Sequence, residues 1–223
     1  IGLRPSSIPP QPAHQKERAT FPAAYRKTRA MDDLLADLPL KLNLVLIGGR
    51  GSGKSSIARR IYREYGEFEH LSLDTLIRYE AGGAPIPEIV EERGWRGFRE
   101  LEFDVVQKAA AFEGGALIDC GGGVVVDLDE RGDEIFSERK VKALRSTGVI
   151  FYLQREAKYL LERIGHDPNR PPLSDERGFL EIMKRRDPFY RRAAHHTIRC
   201  GARKKREIIE EILGLYRKRL LSA

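Results

Sequence analysis

Residues 42–56 read Leu-Asn-Leu-Val-Leu-Ile-Gly-Gly-Arg-Gly-Ser-Gly-Lys-Ser-Ser. The apolar half, bounded by glycine, suits a strand buried on both faces, and it predicts the first, central strand of a parallel sheet. The second half satisfies Gly-x-x-x-x-Gly-Lys-Ser from Gly48 to Ser55, with a helical pattern following to Tyr65. In such a loop, glycines at Gly48, Gly51 and Gly53 let successive backbone N–H groups converge on phosphate oxygens without Cβ interference. Lys54 is placed to reach the outer phosphates, and the Ser55 hydroxyl to ligate Mg²⁺. The helix that follows points its positive end at the same anion. Ser52 and Ser56 complete the candidate nucleotide-binding set.

Working outward, further strand-like runs occur at Ala116–Ile118 and Gly148–Leu153. Helical spacing occurs at Gly97–Ala111, Ala157–Ile164, Gly178–Arg192 and Lys204–Leu220. This alternation predicts a three-layer α/β fold. The first 30 residues hold five of the twelve prolines and no sustained apolar periodicity, so residues 1–40 read as a Pro-rich extension or linker and 41–223 as the folded domain. The chain opens at Ile1 without methionine, which is compatible with a fragment or a processed product.

Composition excludes some classes and leaves others open. At 223 residues and 25.4 kDa one core is expected, and no apolar run approaches the roughly 20 residues of a membrane span. The formal charge of +7, from 40 basic against 33 acidic residues, suits phosphate and carboxylate ligands as well as nucleic acid. Residues 1–40 carry no helix-turn-helix pattern, so no nucleic-acid partner is expected of this chain. Cys120 and Cys200 are too few for a disulfide framework, which points to a cytoplasmic protein. A monomer is expected.

Downstream of the loop come Leu73-Asp74-Thr75-Leu76-Ile77, Gly83-Ala84-Pro85-Ile86-Pro87-Glu88-Ile89, Gly94, and Phe98-Arg99-Glu100-Leu101-Glu102. Further on stand Gly121-Gly122-Gly123, Arg163 with Asp167 to Arg170-Pro171, and Arg186-Asp187-Pro188-Phe189-Tyr190. In order and spacing these motifs resemble the shikimate kinase family across roughly residues 42–200. The resemblance implies a P-loop kinase fold with a five-stranded parallel sheet, a helical substrate-binding segment at about 74–108 and a mobile lid at about 163–178. It implies ATP and Mg²⁺ as cofactors and phosphorylation of the 3-hydroxyl of shikimate.

Carried over residue by residue, the resemblance makes Asp74, at the end of the second strand, the group that orients or deprotonates the reacting hydroxyl. Taken alone, Asp74 reads equally well as a helix N-cap. Arg99 and Arg186 match the arginines that grip the substrate carboxylate, for which the planar guanidinium fork is suited. The triple glycine Gly121–Gly123 would bring backbone close to the substrate. Arg170 matches a lid arginine over the phosphates, and Arg163 would lie near the nucleotide at the lid's base. Glu102, one helical turn after Arg99, can hold that guanidinium in place; a solvated salt bridge is the plainer reading. Trp95, Tyr79, His195 and His196 read as packing or surface residues.

Four departures from the family pattern stand out. Ser72 replaces the usual Asp two residues before Asp74, Trp95 replaces a usual Glu, and Arg78 replaces another. Cys200 to Lys205 also lacks the proline often found beside the adenine. Asp119, closing the apolar strand Ala116–Ile118, is a candidate to hold Mg²⁺ through water in place of residue 72, and it reads equally well as strand-end punctuation. Two alternatives to shikimate phosphorylation remain: a kinase for another small hydroxy acid such as gluconate, and a shikimate-kinase-like ligand-sensing domain of a transcriptional regulator.

Overall fold

The computed structural model describes residues 35, 38–164 and 176–222. The strands are β1 (Asn43–Ile47), β2 (Glu69–Ser72), β3 (Ala116–Asp119), β4 (Val126–Leu128), β5 (Glu134–Phe136), β6 (Gly148–Gln154) and β7 (His196–Arg199). Five of them form one parallel sheet in the order β2-β3-β1-β6-β7, with β1 central as its apolar run predicts. β4 and β5 form a separate antiparallel hairpin.

The helices are α1 (Lys54–Tyr65), α2 (Leu73–Glu80), α3 (Ile86–Ala110), α4 (Glu138–Thr147), α5 (Ala157–Ile164), α6 (Glu176–Ala193) and α7 (Lys205–Leu221). Alternation along β1 builds a core on each sheet face. Val45 and Ile47 pack with Ile77, Phe98, Val105, Val141 and Tyr190 from α2, α3, α4 and α6. Leu44 and Leu46 pack with Ile57, Ile61, Ile208 and Ile212 from α1 and α7, and Leu35 joins this second core. Both faces of the sheet are therefore covered, which is why β1 carries no polar alternation. Its one polar residue, Asn43, is fully buried. The Asn43 amide donates to the Phe112 carbonyl and accepts from the Ala116 N–H, tying the base of β1 to the start of β3.

Two elements differ from their sequence-based prediction. The helix expected from Gly97 begins at Ile86, behind Pro85, and breaks at Gly94, whose φ of 65° and ψ of 170° interrupt it. Periodicity across that break falls out of phase, so only the second half is legible as one amphipathic stripe. The second strand ends at Ser72, and Asp74 lies inside the first turn of α2. Ser72 is the N-cap, its hydroxyl accepting from the Thr75 N–H at 3.4 Å, so the capping alternative for Asp74 does not hold. No helix among the described residues is long and apolar enough to cross a membrane.

Candidate functional site

The loop after β1 wraps the start of α1. Gly48, Gly51 and Gly53 take φ of 143°, 83° and 95°, conformations that side-chain-bearing residues rarely adopt. Gly53 is the N-cap of α1, and no side chain caps it and no acidic residue lies in the first turn. The first N–H groups of α1 thus face the loop with the helix's positive end behind them, an arrangement that favours a phosphate. Lys54 is buried along the loop, its Nζ donating to the carbonyls of Gly48 at 2.8 Å and Gly49 at 3.1 Å. Arg155, just past β6, donates to the Ser52 carbonyl at 3.1 Å and braces the loop from the opposite side. Ser55 is half-buried in the first turn. The Ser56 hydroxyl accepts from Lys205 Nζ of α7 at 2.7 Å, so it faces α7.

Beside the loop, Arg50, Asp74, Arg99, Gly121–Gly123 and Arg186 line one cleft. The triple glycine, following β3, is where these parts meet. A Cβ on Gly121 would stand 2.8 Å from Asp74 Oδ1, one on Gly122 3.1 Å from the Arg50 N–H nitrogen, and one on Gly123 2.6 Å from Arg99 Nη2. Three successive residues without side chains let a carboxylate, the phosphate loop and a guanidinium close on one spot. The chemistry available there is a cation pair for a carboxylate, a carboxylate for a hydroxyl, and a phosphate cradle within reach of both.

Both arginines are buried, at 4% exposure for Arg99 and 3% for Arg186, so each needs a fixed counter-charge. Arg99 Nη1 donates to Glu102 at 2.8 Å. This pair is buried, so the solvated-bridge reading gives way to a built one. Glu102 also accepts from Lys140 Nζ of α4 at 2.7 Å, and the same ammonium donates to the Val126 carbonyl at 2.5 Å. Burial pushes the Glu102 carboxyl up, but the charges of Lys140 and Arg99 outweigh it and hold the group below the usual carboxylate range. Arg186 pairs through Nε and Nη2 with Glu134 of β5. The Tyr190 hydroxyl, one turn on, donates to the Gly122 carbonyl.

Asp119 ends β3 in register with Leu46 of β1 and Ser72 of β2. It lies on the sheet face that packs α1, because Leu117, two residues earlier, belongs to that core. Asp119 is 4% exposed, and its Oδ1 has no hydrogen-bond partner among the described residues. No cluster of three or more His, Cys, Asp or Glu able to hold a metal by itself occurs among the described residues.

Arg163 is exposed at the end of α5, its Nη1 donating to the Tyr159 hydroxyl at 2.8 Å. Arg170, Asp167 and most of the expected lid lie outside the described residues. His195 Nδ1 accepts from the Ile150 N–H at 2.9 Å and His196 stacks on Phe151, both packing roles as expected. Trp95 packs edge-on against Phe98 and is partly exposed, as expected, and it also lines the cleft, with the Arg99 guanidinium 5.5 Å from its ring. Glu134 and Lys140 were not singled out from the sequence, since a lone Glu in a polar turn and a Lys in a basic helix look solvated.

Comparison with known proteins places this architecture. The family model described as shikimate kinase matches residues 50–217. The shikimate kinase of Leptospira biflexa serovar Patoc is 42% identical over 172 residues, covering 77% of this chain and 94% of that protein. The shikimate kinase of Leptospira borgpetersenii is 38% identical, covering 78% and 97%. A solved structure of shikimate kinase from Acinetobacter baumannii in complex with shikimate superposes with a TM-score of 0.70 at 28% identity, covering 84% of this chain and 98% of that one.

Proposed function

The chain belongs to the shikimate kinase family, and from that membership we propose that it transfers the γ-phosphoryl group of ATP to the 3-hydroxyl of shikimate. The observation that carries this reading is the convergence on Gly121–Gly123 of Asp74, Arg99 and the phosphate loop, with Arg186 lining the same cleft. A small carboxylated alcohol fits that inventory, and the relative solved with shikimate has the same fold.

In phosphoryl transfer the protein contributes mainly position and charge. The N–H groups of the loop and of α1, with Lys54, hold the outer phosphates. Arg99 and Arg186 hold the shikimate carboxylate, each kept in place by its own glutamate. That leaves the hydroxyl beside Asp74, which orients it and takes its proton as the bond to phosphorus forms. Arg163 and Arg170 are assigned to the nucleotide side on the family resemblance, Arg170 as the cation that covers the transferring group.

Bound Mg²⁺ would neutralise charge on the β- and γ-phosphates. Ser55 and Asp119 are the residues fitted to hold it, and the support is the unpartnered, buried Asp119 Oδ1 on the α1 face of the sheet. Position 72 carries a hydroxyl where relatives usually carry a carboxylate, and its register neighbour is Asp119. An acid at Asp119 would thus serve from one strand over at the same sheet end. Calorimetric titration with nucleotide, with and without Mg²⁺, tests this. Asp119→Asn is expected to remove the Mg²⁺-dependent gain in affinity and Ser72→Asp on that background to restore part of it; an unchanged gain in Asp119→Asn sinks the assignment.

The activity is tested by coupled ADP release with shikimate and with gluconate as acceptors. Saturable, shikimate-dependent turnover is expected. Turnover with gluconate alone would move the substrate to another hydroxy acid, and shikimate binding without turnover would identify a ligand sensor.

A further inference from the structure

Arg186 presents its Nε and Nη2 edge to Glu134, which accepts from both, while Arg185 Nη2 reaches the same carboxylate at 3.3 Å. Burial raises the Glu134 carboxyl, but its hydrogen bonds and the Arg186 charge hold it low, so it stays ionised. Arg186 lines the cleft and Glu134 does not. The carboxylate therefore holds the Nε–Nη2 edge, and Nη1 is turned to the cleft, where one of its hydrogens is donated to the Gly122 carbonyl at 3.4 Å and the other is left for a ligand.

Glu134 sits on a hairpin fixed at both ends. At its base, Asp127 of β4 accepts from Ser137 Oγ at 2.7 Å and Arg139 Nε at 2.9 Å. At its tip, Asp129 Oδ1 accepts from the N–H groups of Arg131 and Asp133, both at 2.9 Å, and the Asp129 carbonyl accepts from Arg96 of α3 at 2.5 Å. The hairpin thus spans from the helix that carries Arg99 to the helix that carries Arg186. A carboxylate delivered on so braced an element fixes the rotamer of a long side chain that would otherwise lose entropy on binding its ligand.

We propose that Glu134 is a positioning residue for substrate: held on the β4–β5 hairpin, it clamps Arg186 in the one orientation that offers Nη1 to the acceptor's carboxylate. This rests on the proposed shikimate phosphorylation. The rival outcome from the same contact is competition, in which Glu134 occupies the guanidinium and must leave before substrate binds.

The test is steady-state kinetics of the full chain and of Glu134→Gln and Glu134→Ala, with KM for shikimate and for ATP measured separately. Loss of a charge-assisted pair predicts a rise of about tenfold or more in the shikimate KM of Glu134→Ala and a smaller rise in Glu134→Gln, which keeps one acceptor. The KM for ATP and kcat should stay within about threefold of wild type, since uniform binding of the acceptor is what is lost. A fall in shikimate KM establishes competition and overturns the proposal, as does an unchanged KM. A parallel loss in kcat, ATP affinity and melting temperature shows a merely structural role. If Glu134→Ala does not fold, Glu134→Gln alone decides. Wild-type protein without shikimate turnover refutes the proposed function itself, and this inference with it.

Discussion

Replacing Lys140 by Met removes an ammonium with no exposed surface while keeping nearly the same volume. Its Nζ donates to Glu102 at 2.7 Å and to the Val126 carbonyl at 2.5 Å, and lies 3.3 Å from Asp127. After the change Asp127 keeps Arg139 at 2.9 Å and Glu102 keeps Arg99 at 2.8 Å, but Glu102 remains 2% exposed with half its counter-charge gone. Breaking a buried pair costs about 3–5 kcal/mol, and with Arg99 still in place the expected loss is about 3 kcal/mol. For a domain of this size that lowers the melting temperature by roughly 6–12 °C. The pH dependence supplies a second, independent signature. In the wild type the Glu102 pKa is depressed, so its contribution is present above the unfolded value of about 4.3 and is lost only as pH falls through the folded value. In Lys140→Met burial is less opposed, the folded pKa rises, and protonation relieves the penalty. The gap between variant and wild type should be widest at pH 7–8 and narrow toward pH 5. Urea unfolding at three pH values reads both quantities. A loss below about 1 kcal/mol at pH 7.5, or a gap that widens in acid, refutes the reasoning.

Other changes probe the cleft directly. Gly123→Ala places a methyl 2.6 Å from Arg99 Nη2 and 2.8 Å from its Cζ, so the guanidinium must move and the shikimate KM should rise about tenfold to a hundredfold with the fold intact. Lys54→Met should lower kcat by about a hundredfold to a thousandfold, the usual cost of removing one charge stabiliser, in the ADP-release assay. Gly94→Ala puts a side chain at φ 65°, ψ 170°, a backbone region essentially reserved for glycine, and a loss of about 2–3 kcal/mol in thermal unfolding is expected. Trp95 is the sole tryptophan and borders the cleft, so shikimate should change its fluorescence, an effect absent in Trp95→Phe.

The central strand, the phosphate loop and the two-faced core were legible because each is a contiguous pattern: a run of aliphatics, then glycines at fixed spacing, then a helical stripe. Arg99, Arg186 and the triple glycine were legible through resemblance, which preserves order along the chain. What stayed hidden depends on contacts between distant segments. Glu102 and Lys140 are 38 residues apart and Glu134 and Arg186 52, and nothing local marks a charge as buried. Asp74 was placed at a strand end because Ser72, the real cap, ends β2 without any glycine to announce the turn. Trp95 read as a packing or surface residue, which its edge-on contact with Phe98 bears out; that it also borders the cleft is set by the fold rather than by any local pattern.

The missing cap on α1 reaches beyond ligand recognition. A helix whose first turn has neither a capping side chain nor an acid draws no compensation for its dipole from that turn. A polyanion seated there repairs that deficit and binds only the folded state, so it raises stability by mass action. The protein should therefore be handled as one whose shelf life follows the buffer anion, and phosphate or pyrophosphate is expected to prolong it relative to a chloride-only buffer. The same residues that await a nucleotide thus make the concentration of free phosphate a determinant of how long the molecule lasts.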